Sequence, residues 1–562
     1  MTPRHDIGPG LLAGVLFMAA GWPAPAAESL PLGHADFRPS PQHPVGERGD
    51  WTGLFPGAKG VALAWDHRTG KNIAWKCRLP GWSNSSPIVV GDKVFVGSEP
   101  DELLCIDARS GKLLWRKSVF IDASIPAEDR AAVRAALRQM ESQALAMDVP
   151  GKVAAYWLAA IAPQEDPGMA ETAKRIEGVF ADIQKRAIAL NEKEMELGIV
   201  TAPSQATLLK HKLLDPKAWS KLAASRHLQY FAQTGLSMPT PASDGAHVWF
   251  QTSLGAIACL DLEGNVVWNN RLPAAMATTG KAFANSGSPL VLGDRLVYSL
   301  FGRDVYAVDK RTGRELWKFQ NKSLGGRGSS AVAPMRLGNR DLVLAPGTAI
   351  LDAATGAELG RLPVGGDARR GHTVFGDSVI FTFDMRIGRV RLLPDGEALK
   401  TQPVWFAKGP PWQCSVVSDG HVYFNAGPRS GELTGIPVDS SALPKPDERE
   451  WARFPAVAKG RLGAWSLPDA LARDFKDKKL RDPVADGGWQ YAAPAVADGH
   501  LFIGCDYQGM RVVRLAGSKS AVVSDNFMDL FVRGNPFFQG AGMYVRSFHY
   551  LYCIRPSQDV KR

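Results

Sequence analysis

The chain has 562 residues, of which 45% are hydrophobic and 22% are charged, and its formal net charge is +10. This composition is typical of a globular protein with ample material for a large core. The basic residues are scattered, with no run of five or more. The positive charge therefore indicates a solvated basic surface and argues against a nucleic-acid partner, while a weak preference for anionic polysaccharide or lipid headgroups stays open.

The first residues resemble an export signal. Arg4 and His5 precede an apolar run at 11–20, and Ala24 and Ala26 flank Pro25 in a small-residue cleavage pattern. We therefore predict a signal peptide over 1–27 and a periplasmic or secreted protein; a disordered cytosolic N-terminus is the alternative. The apolar run is too short to span a bilayer, and no other segment reaches 18 apolar residues, so we expect no transmembrane segment in the mature chain.

One pattern of short segments recurs along the chain. Its first full copy is "SSPIVV", "GD", "KVFVGSE", "ELLCID", "ARSGK" and "LLWRKS", and the later copies "CLDLEGNVVW" and "AVDKRTGRELW" repeat its second half. Short β-branched runs separated by Asp/Gly turns are typical of antiparallel strands. Each unit is therefore predicted to be a four-stranded antiparallel sheet.

The first turn of the unit marks the copies. It recurs at Gly91-Asp92, Asp244-Gly245, Gly293-Asp294, Gly338-Asn339, Gly376-Asp377, Asp419-Gly420 and Asp498-Gly499, with a degenerate eighth copy around Gly540. The compact spacings are about 38 to 50 residues, the size of a propeller blade. We therefore predict an all-β fold, an eight-bladed β-propeller of four-stranded antiparallel blades.

The two ends of the repeat region complement each other. The last unit has three predicted strands and lacks a fourth, whereas "KNIAWKCRL" at 71–79 is an isolated fourth strand. Pairing them would close the ring and remove two exposed edges. We assign 50–120 to this closing strand and the first full blade, 234–439 to further blades, and 488–556 to the last blades.

Two segments interrupt the repeats. Residues 121–233 carry apolar positions at helical spacing, as in Val133, Leu137 and Met140, or Ile176 and Phe180. This helical insertion either packs on one propeller face or acts as a partner-docking arm or lid. The second interruption, 440–487, is polar and contains proline, which predicts a long loop insertion.

A tryptophan often ends the fourth strand of the unit, at Trp75, Trp115, Trp268, Trp317 and Trp405. A large flat ring at this position can pack between neighbouring blades, and the recurrence favours this structural role over a stacking site. The glycines of the last turn, Gly111, Gly313 and Gly356, are explained in the same way by turn geometry, because they tolerate positive φ.

The phrases "TGRELWKF", "SGKLLWRK" and "SSPIVVGDKVFVGS" resemble the pyrroloquinoline-quinone (PQQ)-like propeller repeat. The resemblance covers about residues 50–120 and 235–556. This repeat occurs in quinoprotein alcohol dehydrogenases, in the propeller lipoprotein of the outer-membrane barrel assembly machinery, and in exported proteins without a defined activity. The blade motif thus implies the fold and leaves the reaction open.

The residues that the dehydrogenases of this family need are not identifiable. Those enzymes typically carry two adjacent cysteines, a Glu/Asn/Asp calcium set and an Asp base, and this chain has no Cys-Cys dipeptide and no matching set. It also lacks CxxC, HExxH and GxSxG motifs. We expect no metal and leave the catalytic residues unknown. Cys105, Cys259 and Cys553 share one position in three units and are interpreted as small buried hydrophobes.

The start of each innermost strand should lie at one mouth of the propeller channel, where polar and aromatic residues form the default ligand site. The candidates for cofactor or ligand binding are Trp82, Asn84, Asn285, Arg327, Arg370, His372, Trp412, Gln413, Trp489, Gln490 and Asn535. The alternative is a water-filled channel capped by these residues. For His372 and His421 a surface or turn position is also expected.

The sequence favours a non-catalytic exported propeller that binds or assembles a protein or polysaccharide partner in the cell envelope, with no cofactor. The alternative is a quinoprotein-type oxidoreductase that holds PQQ with Ca²⁺ in the channel. Nothing in the sequence supports a hydrolase or lyase.

Overall fold

The computed structural model describes residues 30–67, 69–147, 202–213, 235–271, 287–300, 304–321, 331–363, 372–383, 386–408, 414–425, 433–440, 492–505, 509–516, 520–526, 528, 532–547 and 550–557. The predicted signal peptide and nearly all of the predicted loop 440–487 lie outside these residues. Within them, the strands form eight separate sheets, which confirms the predicted eight-bladed propeller.

Two short strands precede the blades, β1 (Leu54–Phe55) and β2 (Ile73–Arg78). Blades 1 to 4 each have four strands in chain order from the channel outwards. They are blade 1, β3 (Ile88–Val90), β4 (Lys93–Ser98), β5 (Glu102–Asp107) and β6 (Leu113–Ser118); blade 2, β7 (Ala242–Ser243), β8 (His247–Thr252), β9 (Ala256–Asp261) and β10 (Val266–Arg271); blade 3, β11 (Leu290–Leu292), β12 (Arg295–Leu300), β13 (Asp304–Asp309) and β14 (Glu315–Gln320); and blade 4, β15 (Ala333–Leu337), β16 (Arg340–Leu344), β17 (Ala349–Asp352) and β18 (Glu358–Arg361).

The remaining four blades follow the same scheme with local variations. They are blade 5, β19 (His372–Phe375), β20 (Ser378–Phe383), β21 (Arg386–Asp395) and β22 (Ala398–Lys408); blade 6, β23 (Val416–Ser418), β24 (His421–Asn425) and β25 (Leu433–Pro437); blade 7, β26 (Ala495–Ala497), β27 (His500–Cys505), β28 (Gly509–Arg514) and β29 (Ala521–Asn526); and blade 8, β30 (Phe537–Gln539), β31 (Gly542–Arg546) and β32 (Tyr550–Ile554).

Blade 8 is completed by the N-terminal part of the chain. Strand β2 pairs antiparallel with β32, with Trp75 opposite Cys553 and Arg78 opposite Tyr550. This is the ring closure that the sequence predicts, and it covers an edge that β32 would otherwise expose. Strand β1 adds in parallel to the inner edge of blade 7, with Leu54 opposite Val496.

The recurrent tryptophans join neighbouring blades, as predicted. Each indole N–H donates to a backbone carbonyl of the next blade: Trp75 to Ala108, Trp115 to Leu262, Trp268 to Lys310, Trp317 to Ala353 and Trp405 to Val438, at 2.8–3.2 Å. A buried indole whose N–H is satisfied combines a large apolar contact with a directed bond.

These tryptophans also explain the glycines of the last turn more fully than turn geometry alone. Gly356 has φ +72°, and a Cβ built on it would lie 2.6 Å from the Trp317 ring of the preceding blade. Gly111 and Gly313 stand in the same relation to Trp75 and Trp268, at 2.7 and 2.8 Å. The glycine is therefore needed both for its φ and for the space that the neighbouring ring occupies.

Helices occur within the predicted insertion: α1 (Ile121–Ser124), a 3₁₀ turn (Ala127–Asp129), α2 (Arg130–Met147) and α3 (Ala202–Lys210). The Asp101 carboxylate of blade 1 accepts hydrogen bonds from the backbone N–H groups of Phe120 and Ile121, at 3.1 and 2.8 Å. The start of the insertion is thereby fixed to blade 1. The second predicted helical stripe, around Ile176 and Phe180, lies outside the described residues.

Candidate functional site in the central channel

The innermost strands of the blades, β3, β7, β11, β15, β19, β23, β26 and β30, surround the central channel. Each runs into the tight turn that marks the repeat, so all eight turns meet at one end of the channel, the turn side. The residues that precede these strands meet at the opposite end, the channel mouth. Several of them carry a hydroxyl or an amide group, including Thr240, Ser288, Ser415 and Asn535.

The channel contains a loop of the chain's own N-terminal region, residues 45–53, which we call the channel loop. Its two limbs are held by backbone hydrogen bonds to blades 2 and 7: Ser243 N–H donates to Val45 C=O, and Val496 N–H donates to Gly53 C=O. Gly46 and Gly49 close the loop by exchanging N–H···O=C bonds. The tight loop places Arg48 and Trp51 at positive φ, 53° and 73°.

Glu47 of the channel loop binds three blades at once. Its Oε2 accepts hydrogen bonds from Thr240 Oγ1 at 2.5 Å and Ser288 Oγ at 2.7 Å, and its Oε1 accepts one from Asn535 Nδ2 at 2.7 Å. These donors precede the innermost strands of blades 2, 3 and 8. Hydrogen bonds to a carboxylate are stronger than those between neutral groups, so Glu47 is a principal anchor of the loop.

Arg48 and Trp51 extend the same contact ring. The Arg48 guanidinium donates to Ser415 C=O at 2.5 Å and to Thr373 Oγ1 at 3.4 Å, which reaches blades 5 and 6. The Trp51 indole N–H donates to Val332 C=O, just before β15 of blade 4, at 2.8 Å. Together with Glu47 and the limbs, these contacts join the channel loop to seven of the eight blades.

Asp50, which follows Gly49 in the channel loop, is buried. Its Oδ1 accepts hydrogen bonds from the backbone N–H and the hydroxyl of Thr52, at 3.2 and 2.5 Å. Burial raises the pKa of Asp50 to about 6, since the desolvation of the charged form outweighs these hydrogen bonds and the charge of Arg48.

Four of the predicted site residues, Trp82, Asn84, His372 and Asn535, fall in the described part of the chain. Trp82, Asn84 and Asn535 precede innermost strands and are buried, and of these Asn535 binds the channel loop directly. Asn535 also accepts a hydrogen bond from Ala493 N–H at 2.6 Å and donates its own N–H to Ser86 Oγ at 2.8 Å. The other candidates, Asn285, Arg327, Arg370, Trp412, Gln413, Trp489 and Gln490, lie outside the described residues.

The expected surface or turn position of His372 is wrong. His372 is the first residue of β19, its side chain is buried, and its Nε2 lies 3.1 Å from Gly347 C=O of blade 4. Burial lowers the pKa of His372 to about 4, so the ring is neutral at neutral pH. His421 does lie at a turn, where its Nδ1 is 2.8 Å from Asp419 C=O.

A second buried charge cluster lies beside the mouth, between blades 1, 2 and 8. The Glu99 carboxylate accepts hydrogen bonds from the N–H groups of Leu236 and Ser237 and from Ser237 Oγ, at 2.7–2.9 Å. Arg546 donates to the carbonyls of Gly97 and Gly81. Burial raises the pKa of Glu99 to about 7, partly offset by the Ser237 bonds and by Arg546. Its bonds connect blade 1 to the chain that enters blade 2, which indicates a structural role.

Sequence reasoning missed Glu47, Arg48 and Glu99. The channel-loop residues lie in "VGERGDW", a charged stretch between glycines that precedes the repeat region. The alternation of glycine and charge indicates a turn, but nothing in it indicates entry into the channel.

Comparison with known proteins places the chain in a family. A family model described as outer membrane protein assembly factor BamB matches residues 36–160 and 210–383, which is more than half of the chain. The chain belongs to this PQQ-like propeller family. No curated protein sequence matches it.

The chain is similar to solved structures of several different functions. They include BamB from Moraxella catarrhalis, at 14% identity, TM-score 0.39 and coverage of 57% of this chain and 82% of that chain. A europium-containing methanol dehydrogenase has 12% identity, TM-score 0.45 and coverage of 90% and 89%. The quinohemoprotein alcohol dehydrogenase ADHIIG from Pseudomonas putida HK5 has 12% identity, TM-score 0.45 and coverage of 93% and 81%.

Among the described residues of this family member, the channel presents no set of oxygen ligands for a Ca²⁺ ion beside PQQ. A calcium ion needs six to eight oxygen ligands with carboxylates among them. The channel loop brings in Glu47 and Asp50, but both carboxylates are engaged by internal donors, and the loop itself occupies the channel. In the described ranges, no cluster of three or more His, Cys, Asp or Glu side chains could hold a metal ion.

The cysteines of the described chain match their predicted role. Cys105, Cys259 and Cys553 are completely buried on the third strands of blades 1, 2 and 8, and like Cys77 they are free thiols. Burial raises the pKa of Cys105 to about 12, so this thiol is not a reactive thiolate at neutral pH. Among the helices that the structure describes, none is long and apolar enough to cross a membrane.

Proposed function

We propose that this chain is a non-catalytic propeller, exported to the periplasm or beyond, that binds or assembles a partner in the cell envelope. The observation that carries the proposal is the channel loop. The quinoprotein alternative requires the channel for its cofactor. In this chain the N-terminal channel loop occupies that space and is held there by contacts of Glu47, Arg48 and Trp51.

Three further points support this function. The matching family model is described as an outer membrane protein assembly factor, which favours a protein partner over a polysaccharide. The apolar run at 11–20 and the small-residue pattern at 24–26 support export. The propeller itself supplies a rigid scaffold, because its blades are joined by repeated indole–carbonyl bonds and a closed ring.

The test combines a search for turnover with a search for partners. Purified full-length protein is mixed with PQQ and Ca²⁺, and dye reduction is assayed over a panel of alcohols and aldose sugars. We expect neither stoichiometric PQQ binding nor substrate-dependent turnover. In parallel, crosslinking in intact envelopes should recover a defined protein partner. Substrate-dependent turnover with bound PQQ would overturn the proposal.

A further inference from the structure

We propose that the channel is a peptide-binding site and that the channel loop is its resident, exchangeable ligand, so that a partner segment of the same chemistry takes the loop's place. The inference rests on the proposed binding function and names its site. The partner segment would be a peptide that forms a similar tight loop, with an acidic residue, an arginine directly after it, and an aromatic residue four positions after the acid.

The first argument is that the loop is not part of any blade. It precedes the closing strand β2, and its charged side chains meet the blades at or next to the channel mouth, through residues such as Thr240, Ser288 and Ser415. Val45 and Trp51 of the loop also pack against apolar residues of the blades. Removing the loop from the channel leaves every strand-to-strand ladder of blades 1 to 6 and 8 unchanged. In blade 7 only the two-residue strand β1 would be lost.

The second argument is that the channel recognises the loop side chain by side chain. Three donors on three blades converge on the Glu47 carboxylate, backbone and hydroxyl oxygens accept from Arg48, and one carbonyl accepts the indole N–H of Trp51. Convergent polar groups within a concave site are typical of ligand recognition. The inner edge of β26 adds a strand-pairing position, a common mode of peptide binding.

The third argument is that the loop conformation is unfavourable for a free chain. Arg48 and Trp51 both adopt positive φ, which residues other than Gly, Asn and Asp rarely adopt. The loop's own backbone hydrogen bonds and the channel contacts together offset this cost, so the loop loses part of its support when it leaves the channel. A segment held by a contact network and strained in isolation is suited to exchange with a competitor.

The test uses full-length protein and a fluorescein-labelled peptide of residues 43–56, HPVGERGDWTGLFP. An attached loop is present at an effective concentration in the millimolar range, so about 10 µM free peptide should not displace it from the wild type. The variant E47A/W51A weakens the attached loop and leaves the channel donors intact. We expect it to bind the peptide at least about tenfold more tightly than the wild type, since anchor residues dominate such contacts.

Two controls separate specific from adventitious binding. A peptide with alanine in place of Glu47 should bind E47A/W51A more weakly, and adding N535L to the protein should weaken binding of the native peptide, because each removes one side of the same hydrogen bond. If E47A/W51A is folded, with unchanged circular dichroism and cooperative melting, but does not bind the peptide at 100 µM, the proposal is overturned.

A measurement on the wild type covers the case in which the variant does not fold. The amides of Gly46, Gly49, Trp51 and Gly53 are hydrogen-bonded within the loop. We expect them to exchange with deuterium at least about a hundredfold faster than the amides of β12, because the loop opens without global unfolding. Equal protection of both sets would mean that the loop is a fixed part of the core, against the proposal.

A disulfide lock separates this inference from the proposed function. Leu54 and Val496 are parallel neighbours on β1 and β26 and pack in one cluster, so L54C/V496C has suitable geometry for a bridge. If the channel receives the partner, envelope crosslinking should be lost in the oxidised protein and restored by reduction. Undiminished crosslinking in the oxidised protein would reject the channel site and leave the scaffold function intact.

Discussion

Replacing Glu47 by alanine removes the carboxylate that accepts hydrogen bonds from Thr240, Ser288 and Asn535. Three donors at the channel mouth then have lost this acceptor. A buried donor that loses its partner costs about 1–3 kcal/mol. The summed cost for the three donors should lie near the lower end of this range. Water can enter the space of the lost side chain and bind the donors, and the carboxylate no longer has to be buried. We therefore expect E47A to lower the free energy of unfolding by about 3 kcal/mol.

The assay is urea unfolding of full-length protein at pH 7.5, followed by tryptophan fluorescence and circular dichroism. E47Q keeps one oxygen acceptor and loses the charge, so its cost should be about half that of E47A. Glu315 lies exposed on the outer strand β14, and E315A, the matched control, should change stability by less than about 0.5 kcal/mol. Acetate should partly restore E47A, because the three donors can bind a free carboxylate.

The reasoning would be refuted by an E47A protein as stable as E315A. That result would mean that the three hydrogen bonds add nothing beyond what water supplies at the same donors. A loss in E47A that acetate leaves unchanged would place the cost in packing and not in the carboxylate contacts.

Three more predictions concern other parts of the fold. Asp50 has a pKa of about 6 in the folded chain against 3.8 in the unfolded chain, so ionisation of its carboxyl lowers the free energy of unfolding as pH rises between these values. D50N should therefore be more stable than the wild type by up to about 3 kcal/mol at pH 8 and equal to it near pH 4. A difference in urea titrations that does not depend on pH would contradict this. G356A should lower the free energy of unfolding by about 3 kcal/mol, because it adds strain at positive φ and a clash with the Trp317 ring. G338A, at positive φ in open space, should lower it by only about 1 kcal/mol. Equal melting temperatures of the two variants would contradict the clash argument. Deleting residues 27–80 removes β2 and the channel loop and should cause aggregation by exposing the β32 edge, so a soluble truncation with an unchanged melting temperature would show that ring closure is dispensable.

The blades could be predicted from the sequence because their information is local and repeated. Turns such as that at Gly91 join strands a few residues apart, and in the last turn of blade 3 Asp309 accepts bonds from the N–H groups of Arg311 and Thr312. Eight copies of such patterns reinforce one another. Ring closure could also be predicted from the sequence, although its partners lie far apart in the chain. The last unit lacks a fourth strand, and residues 71–79 are a fourth strand without a unit.

The contents of the channel were decided only by the tertiary structure. Glu47 lies 193, 241 and 488 positions from the three residues that bind it, and no spacing in the sequence relates them. Their meeting depends on the ring, which brings the starts of all innermost strands to one mouth whatever their order in the chain. The burial of His372 has the same origin, because Gly347, its neighbour through Nε2, belongs to the adjacent blade. Local pattern thus determines each blade, whereas the closed ring determines which residues face the channel and what fills it.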